Sequence, residues 1–217
     1  MNKITINKGN IEKYGFNLSY RQAIVLGAIS YIFQKKANNP FEQVNENGVL
    51  WFGCSVNSII KEVPILKLQK NACVKIVNDL IVMGFIERHF DCARLSKTYL
   101  KPSENFRRYF ENDTNALFLD QGFCIDFDNI LNPTHWILLN CLEKTTEKAI
   151  YKTFVSLDEN KILKSIGLII GGKTRYKTTL SHLVTYGYLE KSEIVNKTYF
   201  KAGAKFLECK KNEKKGF

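Results

Sequence analysis

The 217-residue sequence predicts an α+β chain of two successive small domains, residues 1–113 and 114–217, each with three helices closed by a β-hairpin. Three observations predict this. The length suits two units of about 100 residues, the commonest domain size. KTYLK at 97–101 returns as KTYFK at 197–201. The apolar spacing also switches from helical to alternating at the same glycine in two stretches of chain.

Sliding the chain by 103 residues places Gly84-Phe85-Ile86-Glu87 on Gly187-Tyr188-Leu189-Glu190. Ahead of each glycine, Cys73, Val77 and Leu80 fall on Tyr176, Leu180 and Leu183, a spacing of four then three that lines one helical face. Further upstream Ile59, Ile60 and Val63 superpose on Ile162, Leu163 and Ile166, the stripe of a second, shorter helix. An earlier helix opens each copy. In the first, Ser19 and Gln22 form a capping box ahead of Ile24, Ile29 and Ile32; in the second, Pro133 after Asn132 starts a helix carrying Trp136, Leu139 and Leu142. After the glycines, FIERHF and YLEKSEI read as strands that turn through DCARLS and VN into the two KTY segments. Tyr99 and Tyr199 are expected to pack on the third helix of their own copy, and residues 102–125 read as the boundary between the domains.

The pieces VNDLIVMGFIE before KTYLK and LSHLVTYGYLE before KTYFK resemble the winged helix-turn-helix family of DNA-binding proteins, over residues 18–101 and 130–203. The resemblance implies two tandem winged-helix domains, each with a third helix that enters the major groove and a hairpin wing beside it. In the first copy, WFGCSVNSIIKEVPILKLQKNACVKIVNDLIVMGFIE followed by KTY is similar to the N-terminal domains of phage-type and mobile-element replication proteins. The second copy lacks a matching Trp-Phe strand before its second helix.

GLIIGGKT at 167–174 fits the phosphate-loop pattern G-x-x-x-x-G-K-[ST]. A phosphate loop must follow a buried strand and open a helix, so that backbone N–H groups converge on phosphate. Here SLDENKILKSI precedes it, a helix announced by Ser156 and Glu159, and no aspartate after Asp158 is present to hold magnesium. In the repeat, GLIIGGKT shares the register of PILKLQKN at 64–71, the turn between the second and third helices. It is expected to be that turn, and no cofactor is expected.

With the apolar stripes facing inward, the resemblance implies DNA contacts from Gln69, Lys70, Asn71, Lys75 and Asn78 in the first copy. In the second it implies Lys173, Thr174, Arg175, Lys177 and Thr178. In the wings, Arg88, Arg94, Lys97, Lys191 and Lys197 could add phosphate contacts, although charges on an exposed hairpin are usually only solvated. Arginine pairs with guanine and asparagine with adenine, so Arg175 and Asn71 are the candidate base readers.

Composition agrees with a polyanionic partner. Lys and Arg number 32 against 21 acids, giving a net charge of +11, and both halves share the excess. Six cysteines lie far apart with no C-x-x-C pair, and the H-x-x-C spacing of His89 and Cys92 supplies too few ligands for a tetrahedral zinc site. Neither a signal peptide nor a membrane span is expected, which predicts a cytoplasmic location and no membrane partner. His89, His135 and His182 are scattered, and Asp126 and Asp128 lie on the strand-like FCIDFDN, so no enzyme is expected. The reading is sequence-specific binding of double-stranded DNA by a plasmid- or phage-type replication initiator. A transcriptional regulator on an operator is the alternative, and use of one winged helix for protein association is a third. A homodimer and contacts with replication or transcription machinery are left open.

Overall fold

The structure, a computed structural model, describes residues 3–39, 42–90, 98–113, 116–120 and 131–214, with backbone alone at 3, 117–120, 165, 167–169 and 212–214. It is α+β, with small antiparallel sheets. The chain divides into two compact units, Met1–Ala116 and Leu117–Phe217.

In the first unit, β1 (Lys3–Ile6) and α1 (Lys8–Tyr14) precede α2 (Tyr20–Lys36), which forms the centre of the core. Ser19 caps α2 through the expected box: its hydroxyl accepts from the Gln22 N–H while the Gln22 side chain accepts from the Ser19 N–H. Residues Ala23 to Ser30 are all buried, because α2 is covered by β1, by two further helices and by the sheet. Then follow β2 (Gln43–Glu46), β3 (Val49–Gly53), α3 (Val56–Glu62), a 3₁₀ turn at Pro64–Leu66, α4 (Lys70–Val82), β4 (Ile86–Arg88), β5 (Tyr99–Pro102) and α5 (Glu104–Tyr109). The sheet runs β2-β3-β5-β4. Cys73, Val77 and Leu80 of α4 and Ile59 of α3 are buried as their spacing predicts, whereas Ile60 is half-buried.

Residues 102–113 belong to this unit rather than to a linker. Helix α5 lies against α1, where the buried Asn10 amide donates to the carbonyls of Tyr109 (3.0 Å) and Glu111 (2.8 Å). The Tyr109 hydroxyl accepts from the Asn7 N–H at 3.2 Å, and burial pushes the ionisation of this phenol far above its ordinary value. No apolar period announces such a clasp, because its partners are polar and about 100 residues apart.

The second unit contains β6 (Leu117–Asp120), α6 (Pro133–Thr145), a 3₁₀ turn at Ala149–Tyr151, β7 (Val155–Ser156), α7 (Glu159–Ile170), α8 (Gly172–Thr185), β8 (Leu189–Ile194), β9 (Lys197–Ala202) and α9 (Ala204–Lys214). Asn132 caps α6, and Trp136, Leu139 and Leu142 are buried. The cap of α7 is Asp158, not Ser156: the Asp158 carboxylate accepts from the Lys161 N–H at 3.0 Å, while Ser156 is committed to β7. Its sheet runs β7-β9-β8.

The repeat extends to cross-strand register. Phe52↔Leu100, Gly53↔Tyr99, Arg88↔Leu100, Glu87↔Lys101 and Ile86↔Pro102 correspond to Val155↔Phe200, Ser156↔Tyr199, Lys191↔Phe200, Glu190↔Lys201 and Leu189↔Ala202. The strand that seemed missing before the second copy's second helix is therefore present as β7, cut to two residues. That shortening leaves Tyr199 half-exposed, in contrast to the buried Tyr99, whose ring packs over the bare backbone of Gly53 at 3.5 Å from an added Cβ. Phe200 and Ala202 are the buried side chains of that strand.

Leu183, fully buried on α8, anchors the helix to its unit. Leu183→Ala is expected to destabilise the second unit by about 2–5 kcal/mol through lost burial and the cavity left behind. Denaturant unfolding of the full chain measures it, with the transition of the second unit moving to lower denaturant.

Candidate nucleic-acid interface

Helices α4 and α8 occupy equivalent places, following a shorter helix and leading through a left-handed glycine into a hairpin. Gly84 (φ 71°) and Gly187 (φ 77°) make that exit possible, and the next N–H returns to the helix: Phe85 to the Leu80 carbonyl and Tyr188 to the Leu183 carbonyl, both at 2.9 Å. The inner faces are fixed by this closure, which decides which side chains point outward.

On α4 the outward residues are Lys70, Asn71, Lys75 and Asn78, all exposed, with Gln69 exposed at the cap position. Asn78 is not an isolated amide: its Oδ1 accepts from Arg88 Nη2 at 2.8 Å, joining the helix to β4. Lys173, Thr174, Arg175, Lys177 and Thr178 are exposed on α8. Lys173 pairs with Glu159 of α7 at 3.2 Å, which partly neutralises it, and the Thr178 hydroxyl donates to its own helix at the Thr174 carbonyl. Lys197 is exposed at the start of β9, whereas Lys191 pairs with Glu193 at 2.6 Å. Arg94 and Lys97, with Cys92, Asp126 and Asp128, lie outside the described residues.

The helices packed against α4 and α8 are capped by side chains, although the short α1 and α5 are not. Ser19 caps α2, Ser55 caps α3, Asn132 caps α6 and Asp158 caps α7, each with a side-chain oxygen accepting from a first-turn N–H. No side chain caps α4, where Gln69 stands at the cap position, or α8, where Gly171 does; neither first turn carries an acid. Their first-turn N–H groups thus keep the positive end of the helix dipole without a side-chain cap to accept from them. A groove of about 730 Å³ runs from α8 to the hairpin, with Lys177, Ser181, Lys191, Lys197 and Thr198 among its walls.

GLIIGGKT has the wrong surroundings for a phosphate loop. Residues 159–170 are helical, so the N–H groups of Gly167 to Ile170 are used within α7, and the reversal shrinks to Gly171 (φ 88°) and Gly172 (φ 86°), the latter being the first residue of α8. The joint differs from that of the first copy, where Pro64 cannot continue a helix and a 3₁₀ turn followed by left-handed Lys67 makes the bend. GLII contains no such breaker, and α7 continues through it.

The described cysteines, Cys54, Cys73, Cys141 and Cys209, are buried. Burial pushes the Cys54 thiol up to about 12 and the Cys73 thiol to about 11, so both pack as neutral hydrophobes. His89 is buried against Glu46, with Nε2 to Oε2 at 2.8 Å. Among the described residues no group of three or more His, Cys, Asp or Glu could hold a metal ion, and no helix is long and apolar enough to cross a membrane.

The sequence matches no protein-family model and no curated protein.

Sequence reasoning passed over one feature next to α8. His135 of α6 is buried, its Nδ1 accepts from the Asn132 N–H at 3.2 Å, and its ring stacks on His182 of α8 at 5.6 Å. Burial, with a smaller contribution from the adjacent His182, lowers the His135 pKa to about 4. The folded value lies below the ordinary 6.5, so the unfolded chain binds the extra proton. The resulting stability is full above pH 6.5 and is lost as pH falls through about 4. Thermal unfolding of the second unit is expected to show this acid limb, and His135→Gln, which keeps a capping-box residue, is expected to flatten it.

Proposed function

We propose that the protein binds double-stranded DNA sequence-specifically through two winged helices, α4 and α8 acting as recognition helices and the hairpins β4–β5 and β8–β9 as wings. The observation that carries the reading is the pairing of an uncapped, acid-free first turn with outward cations and amides on the equivalent helices α4 and α8. Phosphate oxygens would accept from those N–H groups and from Lys70, Lys75 and Lys177, while Asn71 and Arg175 reach base edges. The excess of +11 supplies the long-range attraction. Because Glu159 already holds Lys173, that lysine contributes less than its place in the first turn suggests.

The biological role we propose is replication initiation of the plasmid or phage type, with both units spanning repeated DNA. The support is the tandem arrangement and the resemblance of the first copy. Footprinting on the DNA flanking its own gene tests this: protection of iterated repeats supports it, whereas a single site over a promoter favours an operator.

Titrating labelled duplex with the full chain over a range of salt tests the binding itself. Affinity is expected to fall linearly on a log–log scale, and Lys75→Ala and Lys177→Ala are each expected to reduce the slope by about 1. Arg175→Ala is expected to cost about 1–3 kcal/mol on the preferred site and much less on unrelated duplex. Salt-independent affinity, or none for duplex, overturns the proposal.

A further inference from the structure

Strand β8 is an edge strand: among the described residues its ladder partner is β9. An edge of six residues exposes a row of backbone donors and acceptors that can pair with another strand. Which groups are exposed follows from the turn. Val195 (φ 49°) and Asn196 (φ 58°) form a two-residue turn with both φ positive, and in that hairpin type the flanking pair Ile194↔Lys197 exchanges both hydrogen bonds. Alternation then directs the backbone groups of Ser192 and Glu190 toward β9 and those of Leu189, Lys191 and Glu193 toward the open edge.

We infer that β8 pairs antiparallel with β8 of a second copy of this chain about a twofold axis through Ser192. Three nearby registers keep outward groups facing outward groups. One centred on Lys191 sets lysine against lysine, and one centred on Glu193 sets glutamate against glutamate. The register centred on Ser192 places Lys191 opposite Glu193 of the second copy, twice by symmetry, in the closely hydrogen-bonded pairs. Lys191 and Glu193 are both exposed on one face of the strand and already attract each other at 2.6 Å, so the dimer exchanges the two intrachain pairs, one in each copy, for two interchain pairs of the same charges. The same register covers Ile194, which is 54 % exposed beside the tip, with the strand of the second copy. Charges on an edge normally deter association; here they reject the shifted registers and admit one.

The inference is independent of DNA binding, and its test contains no DNA. Sedimentation of the full chain over a concentration series is expected to show a monomer–dimer equilibrium. Lys191→Glu and Glu193→Lys, each of which sets like charges across the axis, are each expected to raise the dimer Kd about tenfold or more. The double exchange, carrying both substitutions, restores opposite charges and is expected to return Kd to near the original. Ser192→Cys supplies a second readout. Residues facing each other across such an axis in the non-hydrogen-bonded position have Cα atoms about 4.5 Å apart, within disulfide range. Mild oxidation is therefore expected to cross-link this variant and not the unsubstituted chain. A chain that stays monomeric throughout, or a dimer indifferent to the charge exchange with no Ser192→Cys cross-link, overturns the inference.

Discussion

Both units depend on the joint where α4 or α8 becomes the hairpin. A residue with φ near +70° must stand there, and glycine adopts that conformation without strain. The reversal buries Phe85 or Tyr188 directly behind the helix and lets its N–H close on the last turn. The carbonyl of the same residue then accepts from the chain returning along the far strand, Ser103 in one unit and Gly203 in the other. Helix, strand and return strand are thus bonded to one residue. The orientation of the outward face of α4 or α8 is a consequence of that bonding.

The two units use the same scaffold with different margins. The first carries one extra strand, β2, and a longer β3 in the place of β7, so its sheet has four strands and Tyr99 is buried. The second manages with β7, and its core instead relies on Phe200, Tyr188 and the buried run of α6. The helix-to-helix bend is likewise made by proline and a 3₁₀ turn in one unit and by two consecutive glycines with positive φ, Gly171 and Gly172, in the other. Gly171 is therefore a backbone requirement of the bend, and the lysine two residues on is held by the preceding helix.

Much of this was legible because helical stripes are local. Cys73, Val77, Leu80, Tyr176 and Leu183 reveal their face within two turns, and Ser19 with Gln22 is a short-range signal. What escaped was set by distant partners. Two residues, Val155 and Ser156, are too few to show alternation, and only pairing with β9 makes them a strand. Asp158 and Ser156 are equally good caps by type, and the ladder decides between them. Of the site residues, outward placement was readable, while the Asn78 bond to Arg88 and the Lys173 pair with Glu159 required the coordinates.

The polar clasp of α1 on α5 has a consequence for biosynthesis. Asn7 and Asn10 emerge from the ribosome about 100 residues ahead of the segment Tyr109 to Asp113, where their buried N–H groups find the acceptors of this clasp. Until that segment emerges, the nascent first unit holds unmet polar groups and an open seam, and its folding is of high contact order. Completion of the seam coincides with the end of the unit, so the ordering of synthesis lets one half settle before the other half is made.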